Sequence, residues 1–150
     1  INFLLPKHIF FSQLINLYMN EFSYKLKVYY EDTDAGGVVY YANYLKFFER
    51  ARTEAIAEIG LSNKKLLDEF GILIIVKSCN INYKKSAKLE DQIEIKSIVS
   101  SFSNTSFKMI QKAFRCQELL TECEIHLVVI DKNGKPTKIP DKLRQKIETN

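Results

Sequence analysis

Hydrophobic and polar side chains alternate over residues 22–30, and this two-residue period predicts a half-buried β-strand. The apolar face of that strand would carry Phe22, Tyr24, Leu26, Val28 and Tyr30. After a short acidic segment, apolar residues recur at spacings of three, four and seven, which predicts one long amphipathic helix with Gly60 as its C-cap. The apolar positions of this helix are Tyr44, Phe47, Phe48, Ala51, Ala55 and Ile59.

The second half of the chain predicts a run of consecutive strands. A short helical or irregular connection over residues 62–70 ends at Gly71, and residues 141–148 predict a short helix after Pro140. Consecutive strands favour an antiparallel sheet, and a single long helix has to bury its apolar face against that sheet, so we expect an α+β domain. The strand-like segments are residues 72–83, 92–102, 106–116 and 121–131.

Composition fits a single globular domain. The 150 residues are 46% hydrophobic and 27% charged, which is enough for one core. Residues 1–18 are apolar and aromatic, but Pro6-Lys7-His8 interrupts them, and they lack the basic start and the cleavage site of a signal peptide. No apolar run reaches the roughly 20 residues that span a bilayer, so no membrane insertion is expected. We therefore treat residues 1–18 as an N-terminal extension without an assigned role and place the domain at residues 19–150.

Charge and cysteine content exclude several classes of function. The net charge is +4, from 22 Lys and Arg against 18 Asp and Glu. The basic residues are scattered, which favours an anionic small molecule over a nucleic acid as the partner. Cys79, Cys116 and Cys123 form no C-x-x-C pair, so we expect no metal, no cofactor and no disulfide framework, but small core side chains in a reduced, cytoplasmic protein.

The candidate chemistry lies in residues 32–38, between the first strand and the long helix. Asp32 and Asp34 come first, and Gly36 and Gly37 follow. Carboxylates supply a base or a nucleophile, glycines let a substrate approach the backbone, and a helix start offers unpaired N–H groups to developing negative charge. These features suit acyl transfer. A thioester needs no strong general acid, because its leaving thiol has a reference pKa of about 8.5.

The same region resembles a known enzyme family. The motif D-T-D-x-G-G-V-V-Y at residues 32–40, and E-R-A-R-T-E at residues 49–54, are similar to those of the hotdog-fold acyl-CoA thioesterases. Within them, the chain looks most like the branch associated with the bacterial Tol–Pal system, which is related to 4-hydroxybenzoyl-CoA thioesterase. The resemblance implies a hotdog fold, in which an antiparallel sheet of about five strands wraps around one long helix.

The resemblance also implies catalytic roles. It assigns the catalytic carboxylate to Asp34, acting as general base or as nucleophile, and the polarisation of the thioester oxygen to the backbone N–H of Tyr41. Asp32 is expected to be structural. Asn43 would cap the helix or touch the acyl group, and capping is favoured. Tyr41 stands where this branch usually has histidine, which changes the side chain and leaves the backbone N–H.

Substrate contacts are predicted at glycines and lysines. We expect Gly36, Gly37 and Val38 to contact the substrate. Residues 101–106 lack the arginine and lysine that some relatives place against coenzyme A phosphates, so local charge makes other side chains the candidates for that contact. These candidates are Lys84, Lys85 and Lys88.

The resemblance further implies a homodimer or a homotetramer. Its subunits would join edge to edge, with active sites at their interface. The apolar run at residues 72–76 independently indicates a buried sheet edge.

The sequence and the resemblance leave three hypotheses for the function of this chain. The first is hydrolysis of acyl-CoA, or of an acyl thioester carried by an acyl carrier protein. A non-catalytic module that binds acyl groups or acyl carrier protein in an envelope-associated complex is the alternative. A hotdog dehydratase would need a catalytic histidine near the helix start, and no histidine occurs between residues 9 and 125. His126 is expected to point outward from a strand, and Glu49 to lie on the solvated face of the helix.

Overall fold

The computed structural model describes residues 20–148, so the predicted extension over residues 1–18 and Met19 lie outside the described part. Five antiparallel strands form one sheet in the spatial order β1-β3-β4-β5-β2, which makes β1 and β2 its edges. The strands are β1 Glu21–Lys27, β2 Ile72–Tyr83, β3 Gln92–Phe102, β4 Ser106–Arg115 and β5 Glu118–Asp131. The helices are α1 Asn43–Glu58, α2 Asn63–Phe70 and α3 Asp141–Glu148.

Helix α1 packs its apolar face against the sheet. All six apolar positions predicted for it are buried, and Phe47 and Phe48 are completely inaccessible. Gln111 on the central strand β4 joins the two layers, because its Nε2 donates to the carbonyl of Phe48 at 3.0 Å. The helix ends at Glu58, and Gly60 follows with φ +76°, a left-handed conformation that favours glycine. The long helix and its end are therefore as predicted.

The first strand is shorter than the alternation predicted. It ends at Lys27, and Tyr30–Asp32 form a single 3-10 turn in which Tyr30 is 81% exposed. The cause is the Asp32 carboxylate, whose Oδ2 accepts the backbone N–H of Tyr29 at 2.9 Å and turns the chain out of the sheet. Placing Tyr30 on the buried face was thus wrong.

Two smaller expectations also need correction. Strand β5 begins at Glu118 rather than at Thr121, and β4 ends at Arg115. Of the three cysteines, only Cys123 is buried, whereas Cys79 and Cys116 are exposed. Cys79 lies on the edge strand β2, and Cys116 lies in the turn between β4 and β5, so neither reaches the core.

The apolar run at the start of β2 lies at a sheet edge. Only Ile72 is buried there, while Leu73, Ile75 and Val76 are 39%, 43% and 49% exposed in the single chain. Burial of this edge would need a second chain, and it stays a prediction. Among the described residues, no helix has both the length and the apolar character needed to cross a membrane.

Candidate active site

The acidic segment forms a tight loop immediately before α1. The backbone N–H of Asp34 donates to the carbonyl of Val38 at 2.9 Å, and the N–H of Gly37 donates back to the carbonyl of Asp34 at 3.0 Å. Gly37 has φ +74°, a left-handed backbone conformation that favours glycine at the point where the chain returns. The loop is thereby closed by its own backbone.

The two aspartates of this loop have different surroundings. Asp32 is 5% exposed, and its carbonyl accepts the N–H of Tyr40 and the Nδ2 of Asn43, both at 2.9 Å. With its carboxylate also bonded to Tyr29, Asp32 has the structural role expected of it. Asp34 is exposed, and its Oδ1 accepts the N–H of Gly36 at 2.8 Å. No described residue donates to its Oδ2, so that oxygen is available to accept a proton.

The start of α1 presents an unused backbone donor. The N-cap is Ala42, which has no side-chain cap. The prediction that Asn43 caps the helix was wrong: its side chain is buried, and its Nδ2 donates to the carbonyl of Asp32, which ties α1 to the acidic loop. The N–H of Tyr41 has no acceptor among the described residues. The carbonyl of Tyr41 accepts a hydrogen bond from the hydroxyl of Tyr83 at 3.1 Å. An N–H group with these surroundings suits a developing oxyanion.

A cleft of about 250 Å³ brings several of the predicted residues together. Its lining is Asp34, Val38, Val39, Tyr41, Tyr44, Tyr83, Lys84, Lys85 and Ser86. Gly36, Gly37, Asn43 and Lys88 do not line it. Gly36 lies beside the cleft through its bond to Asp34, and Lys88 forms an isolated β-bridge with Val38.

The two lysines of the cleft differ in their partners. Lys85 Nζ lies 2.5 Å from Glu118 Oε1, and Arg115 Nη2 lies 2.5 Å from the other oxygen of the same carboxylate. Lys85 first, and then Arg115, lower the pKa of Glu118. Lys84 forms no ion pair with a described residue. Its charge is therefore available for a phosphate group.

Sequence reasoning missed Tyr83. It ends β2, and its ring lies edge-on to Tyr41 with ring centroids 6.1 Å apart and planes at 88°. Burial, and then the neighbouring Tyr41, raise the pKa of Tyr83, so its hydroxyl stays protonated at neutral pH. The only signal in the sequence was its place at the end of a predicted strand.

A second cavity of about 190 Å³ lies between α1, the sheet and α3. Its walls are mostly apolar, and Glu49, Arg52, Thr53 and Asn63 contribute its polar part. Arg52 Nη1 donates to Gln111 Oε1 at 2.9 Å, and burial lowers the pKa of Arg52. Glu49 is exposed, as expected, and its Oε1 accepts a hydrogen bond from the hydroxyl of Thr53 at 2.8 Å. None of the predicted site residues lines this cavity.

Two other predicted features lie away from the cleft. His126 Nε2 is 3.0 Å from Ser106 Oγ on strands β5 and β4, and the neighbours Ile125 and Leu127 are buried while His126 is only partly so. Over residues 20–148, no group of three or more His, Cys, Asp or Glu side chains is placed to hold a metal ion.

Comparisons with known proteins agree with this architecture. Residues 28–147 match the family model of the thioesterase-like superfamily. The acyl-CoA thioesterase YbgC of Haemophilus influenzae is 37% identical over 126 residues, which cover 83% of this chain and 93% of that protein. A probable thioesterase from Bartonella henselae superimposes with a TM-score of 0.77 at 30% identity, covering 81% of this chain and 100% of that one.

A further neighbour supports the fold alone. The 1,4-dihydroxy-2-naphthoyl-CoA thioesterase of Synechocystis has a TM-score of 0.79 at 21% identity, over 85% of this chain and 96% of that one. The predicted α+β hotdog architecture is confirmed by these structures together with the five-stranded sheet.

Proposed function

Because the chain belongs to the thioesterase-like superfamily, we propose that it is an acyl-CoA thioesterase whose catalytic carboxylate is Asp34. One observation carries the assignment of the site. The exposed carboxylate of Asp34 has an oxygen without a donor, and it lines the same cleft as Tyr41, whose backbone N–H has no acceptor among the described residues. A base and an oxyanion donor at one cleft are the two groups that thioester hydrolysis requires.

The hydrolysis follows from these two groups. The thioester oxygen binds at the N–H of Tyr41, which polarises the carbonyl. Asp34 accepts a proton from a water molecule as that water attacks the carbonyl carbon, and the tetrahedral intermediate then expels the thiolate, which takes up the proton from Asp34. The products are a free carboxylic acid and free coenzyme A.

A covalent route uses the same carboxylate. Asp34 attacks the carbonyl carbon and releases the thiolate, and water then hydrolyses the resulting mixed anhydride. Single-turnover hydrolysis in heavy-oxygen water separates the two routes. Label in the Asp34 carboxylate, found by mass analysis of its peptide, requires the covalent route, because it enters when water attacks the Asp34 carbon of the anhydride.

Replacement of the carboxylate tests the proposal directly. For Asp34→Asn we expect thiol release from acyl-CoA to fall by about 10²- to 10⁴-fold, since the amide neither accepts the proton nor attacks. The thermal unfolding midpoint should stay close to that of the wild type, because Asp34 is exposed. The matched control is Asp68→Asn, which removes an exposed carboxylate that pairs with Lys64 on α2. Full activity in Asp34→Asn would overturn the proposal.

The same assay addresses the alternative. A non-catalytic module would bind acyl-CoA tightly and release no thiol from any of a panel of chain lengths. An acyl carrier protein as the carrier of the acyl group is tested by offering it in place of coenzyme A. The Tol–Pal association rests on the resemblance of residues 28–54, and the cytoplasmic location rests on cysteine usage; both stay predictions.

A further inference from the structure

The backbone of Tyr41 is held from the sheet by a side chain. Tyr83, the last residue of β2, donates its hydroxyl to the Tyr41 carbonyl at 3.1 Å. The two residues are 42 positions apart in sequence, so the bond ties the end of an edge strand to the start of α1. Both side chains line the cleft that contains Asp34.

Other bonds hold the peptide group before the Cα of Tyr41 but not the peptide group after it. The N–H of Tyr40 donates to Asp32, and the N–H of Asn43 donates to the carbonyl of Tyr40 at 2.8 Å. Ala42 provides no side-chain cap. Among the described residues, the hydroxyl of Tyr83 is thus the hydrogen-bond partner of the Tyr41 backbone. The N–H of Tyr41 lies in the peptide plane of the Tyr40 carbonyl, and this plane meets the plane of the Tyr41 carbonyl at the Cα of Tyr41. Without the Tyr83 bond, the carbonyl of Tyr41 would be free to rotate, and the Cα that carries the N–H would be held from one side only.

The surroundings of Tyr83 keep this bond in place. Its ring contacts the rings of Tyr41 and Tyr44, with centroids 6.1 and 5.8 Å away. Tyr44 is itself anchored, because its hydroxyl accepts the N–H of Ala87 at 3.2 Å. The raised pKa of Tyr83 keeps its hydroxyl a donor through the neutral and mildly basic range. The hydroxyl is therefore held against the carbonyl by packing as well as by its own hydrogen bond.

We propose that Tyr83 is a positioning residue for thioester hydrolysis, which holds the backbone of Tyr41 from its carbonyl side and so keeps the Tyr41 N–H in place at the thioester oxygen. The proposal rests on the function proposed above. An N–H aimed at the oxyanion lowers the barrier of the chemical step more than it strengthens ground-state binding. Loss of the Tyr83 hydroxyl should consequently lower kcat and leave KM nearly unchanged.

The kinetic test is Tyr83→Phe, which keeps the ring and removes the donor. We expect kcat to fall about tenfold, less than for loss of an oxyanion donor itself, with KM within about twofold of the wild type. The matched control is Tyr24→Phe on β1, because Tyr24 is partly buried and its hydroxyl has no hydrogen-bond partner among the described residues. An unchanged kcat in Tyr83→Phe, or a rise in KM alone, would overturn the proposal.

A spectroscopic test separates this proposal from the proposed function. In inert Asp34→Asn protein, the vibrational band of a bound, isotope-labelled thioester carbonyl should shift to lower frequency than in water, because Tyr41 polarises it. Adding Tyr83→Phe should move the band back toward its position in water, and adding Tyr24→Phe should not. If both double variants keep the shift, the role of Tyr83 is wrong. If Asp34→Asn protein binds the thioester without any shift, the oxyanion donor of the proposed function is wrong, and the role of Tyr83 falls with it.

Discussion

The Asp34 carboxylate depends on the residue two places after it. The N–H of Gly36 donates to Oδ1, and a Cβ built on Gly36 would lie only 3.1 Å from that oxygen. A methyl group there would force the carboxylate to move by a few tenths of an ångström. Since misplacing a reacting group by about 1 Å can cost about 100-fold in rate, even this small shift should be measurable.

We therefore expect Gly36→Ala to lower kcat by about tenfold. The unfolding midpoint should change little, because Gly36 does not have the left-handed backbone conformation that disfavours alanine. Thiol-release kinetics and thermal unfolding of the purified variant measure both effects. Wild-type kcat in this variant would mean that the position of Oδ1 does not matter for the reaction.

Gly37→Ala should lower the stability of the fold, in contrast to Gly36→Ala, which should lower kcat. Its φ is +74° and no atom lies near the built Cβ, so alanine should cost about 1–2 kcal/mol of unfolding free energy through backbone strain. Gly134→Ala is the matched control, because Gly134 has φ +78° and equal space in the distant turn after β5. Denaturant unfolding should give similar losses for both. A much larger loss of unfolding free energy for Gly37→Ala than for Gly134→Ala would contradict this account, because backbone strain alone would then not explain the effect of alanine in the acidic loop.

At the residue scale, the sequence predicted what is local. The two aspartates, the glycines and the following helix are contiguous, so their pattern alone placed them at one junction. The role of Asn43 could not be read in this way, because its partner is a carbonyl 11 residues upstream that a helix cap signal does not reveal. Tyr83 was further out of reach, since its contact with Tyr41 exists only because β2 ends beside the start of α1.

Residues 84–91 act as a structural element although they form neither helix nor strand. On one side, the N–H of Val39 donates to the carbonyl of Ala87 at 2.8 Å, which joins this segment to the acidic loop. On the other side, Arg115 Nη1 donates to Asp91 Oδ2 at 2.7 Å. The segment thus connects the β4–β5 turn to the cleft, and its stability should depend on the Arg115 ion pairs.

The Arg115 ion pairs predict an acid-dependent loss of stability. Burial alone would raise the pKa of Asp91, but hydrogen bonds from the Lys88 N–H and from Arg115 outweigh it and hold that pKa below its ordinary value. A carboxyl group with a depressed pKa stabilises the fold above its unfolded pKa of about 3.9, and this stabilisation is lost as the pH falls below that value through the folded pKa.

Arg115→Met should remove much of this dependence. We expect its unfolding midpoint to be a few degrees lower than that of the wild type at pH 7, and to fall less steeply below about pH 4. Thermal unfolding across pH measures both. Lys138→Met, which breaks an exposed pair with Asp141, is the control and should match the wild type. Parallel curves for Arg115→Met and the wild type would contradict this account.

Two lysines of residues 84–91, Lys84 and Lys85, line the cleft and are predicted to bind the phosphates of coenzyme A. Lys84→Glu should raise KM for acyl-CoA about tenfold, because it reverses the cleft cation that has no ion pair with a described residue. Lys85→Gln should have a smaller effect, since Glu118 already neutralises Lys85. An acyl thioester of N-acetylcysteamine, which has no phosphate, should be hydrolysed equally by all variants. Lys132→Glu, in the exposed turn after β5, is the control.

Strand and helix ends show what limits prediction at the scale of elements. Strands β2 and β3 have the predicted bounds, and helix α1 lies where it was predicted, because period, glycines and turn residues agree there. Strand β1 does not, since alternation continues to Tyr30 while the Asp32 carboxylate has already turned the chain at Tyr29. A side chain that binds backbone groups can end a strand that hydrophobicity alone would extend.

At the scale of the whole molecule, the sheet order decides which apolar residues stay exposed. Strand β2 lies at an edge, with residues 72–83 paired only to β5 among the described strands. Its other side offers unpaired backbone groups, and Leu73, Ile75 and Val76 remain partly exposed beside them. A long apolar edge of this kind favours pairing with another strand. The apolar run at residues 72–76 predicted a buried sheet edge; the sheet order confirms that β2 is an edge strand, and its burial stays a prediction.

The predicted homodimer or homotetramer can therefore be tested at β2. We expect the wild-type chain to sediment as a dimer or tetramer and Ile75→Lys to sediment as a monomer, because a charge on the strand opposes edge-to-edge pairing. Tyr30→Lys places the same charge at a site that is 81% exposed outside β2, and it should sediment as the wild type does. If the active sites lie at the interface, as the resemblance implies, thiol release per chain should be much lower in monomeric Ile75→Lys than in the wild type. Association that is equally strong in Ile75→Lys would place the interface elsewhere on the molecule, and wild-type activity in a monomeric Ile75→Lys would mean that one chain completes its own site.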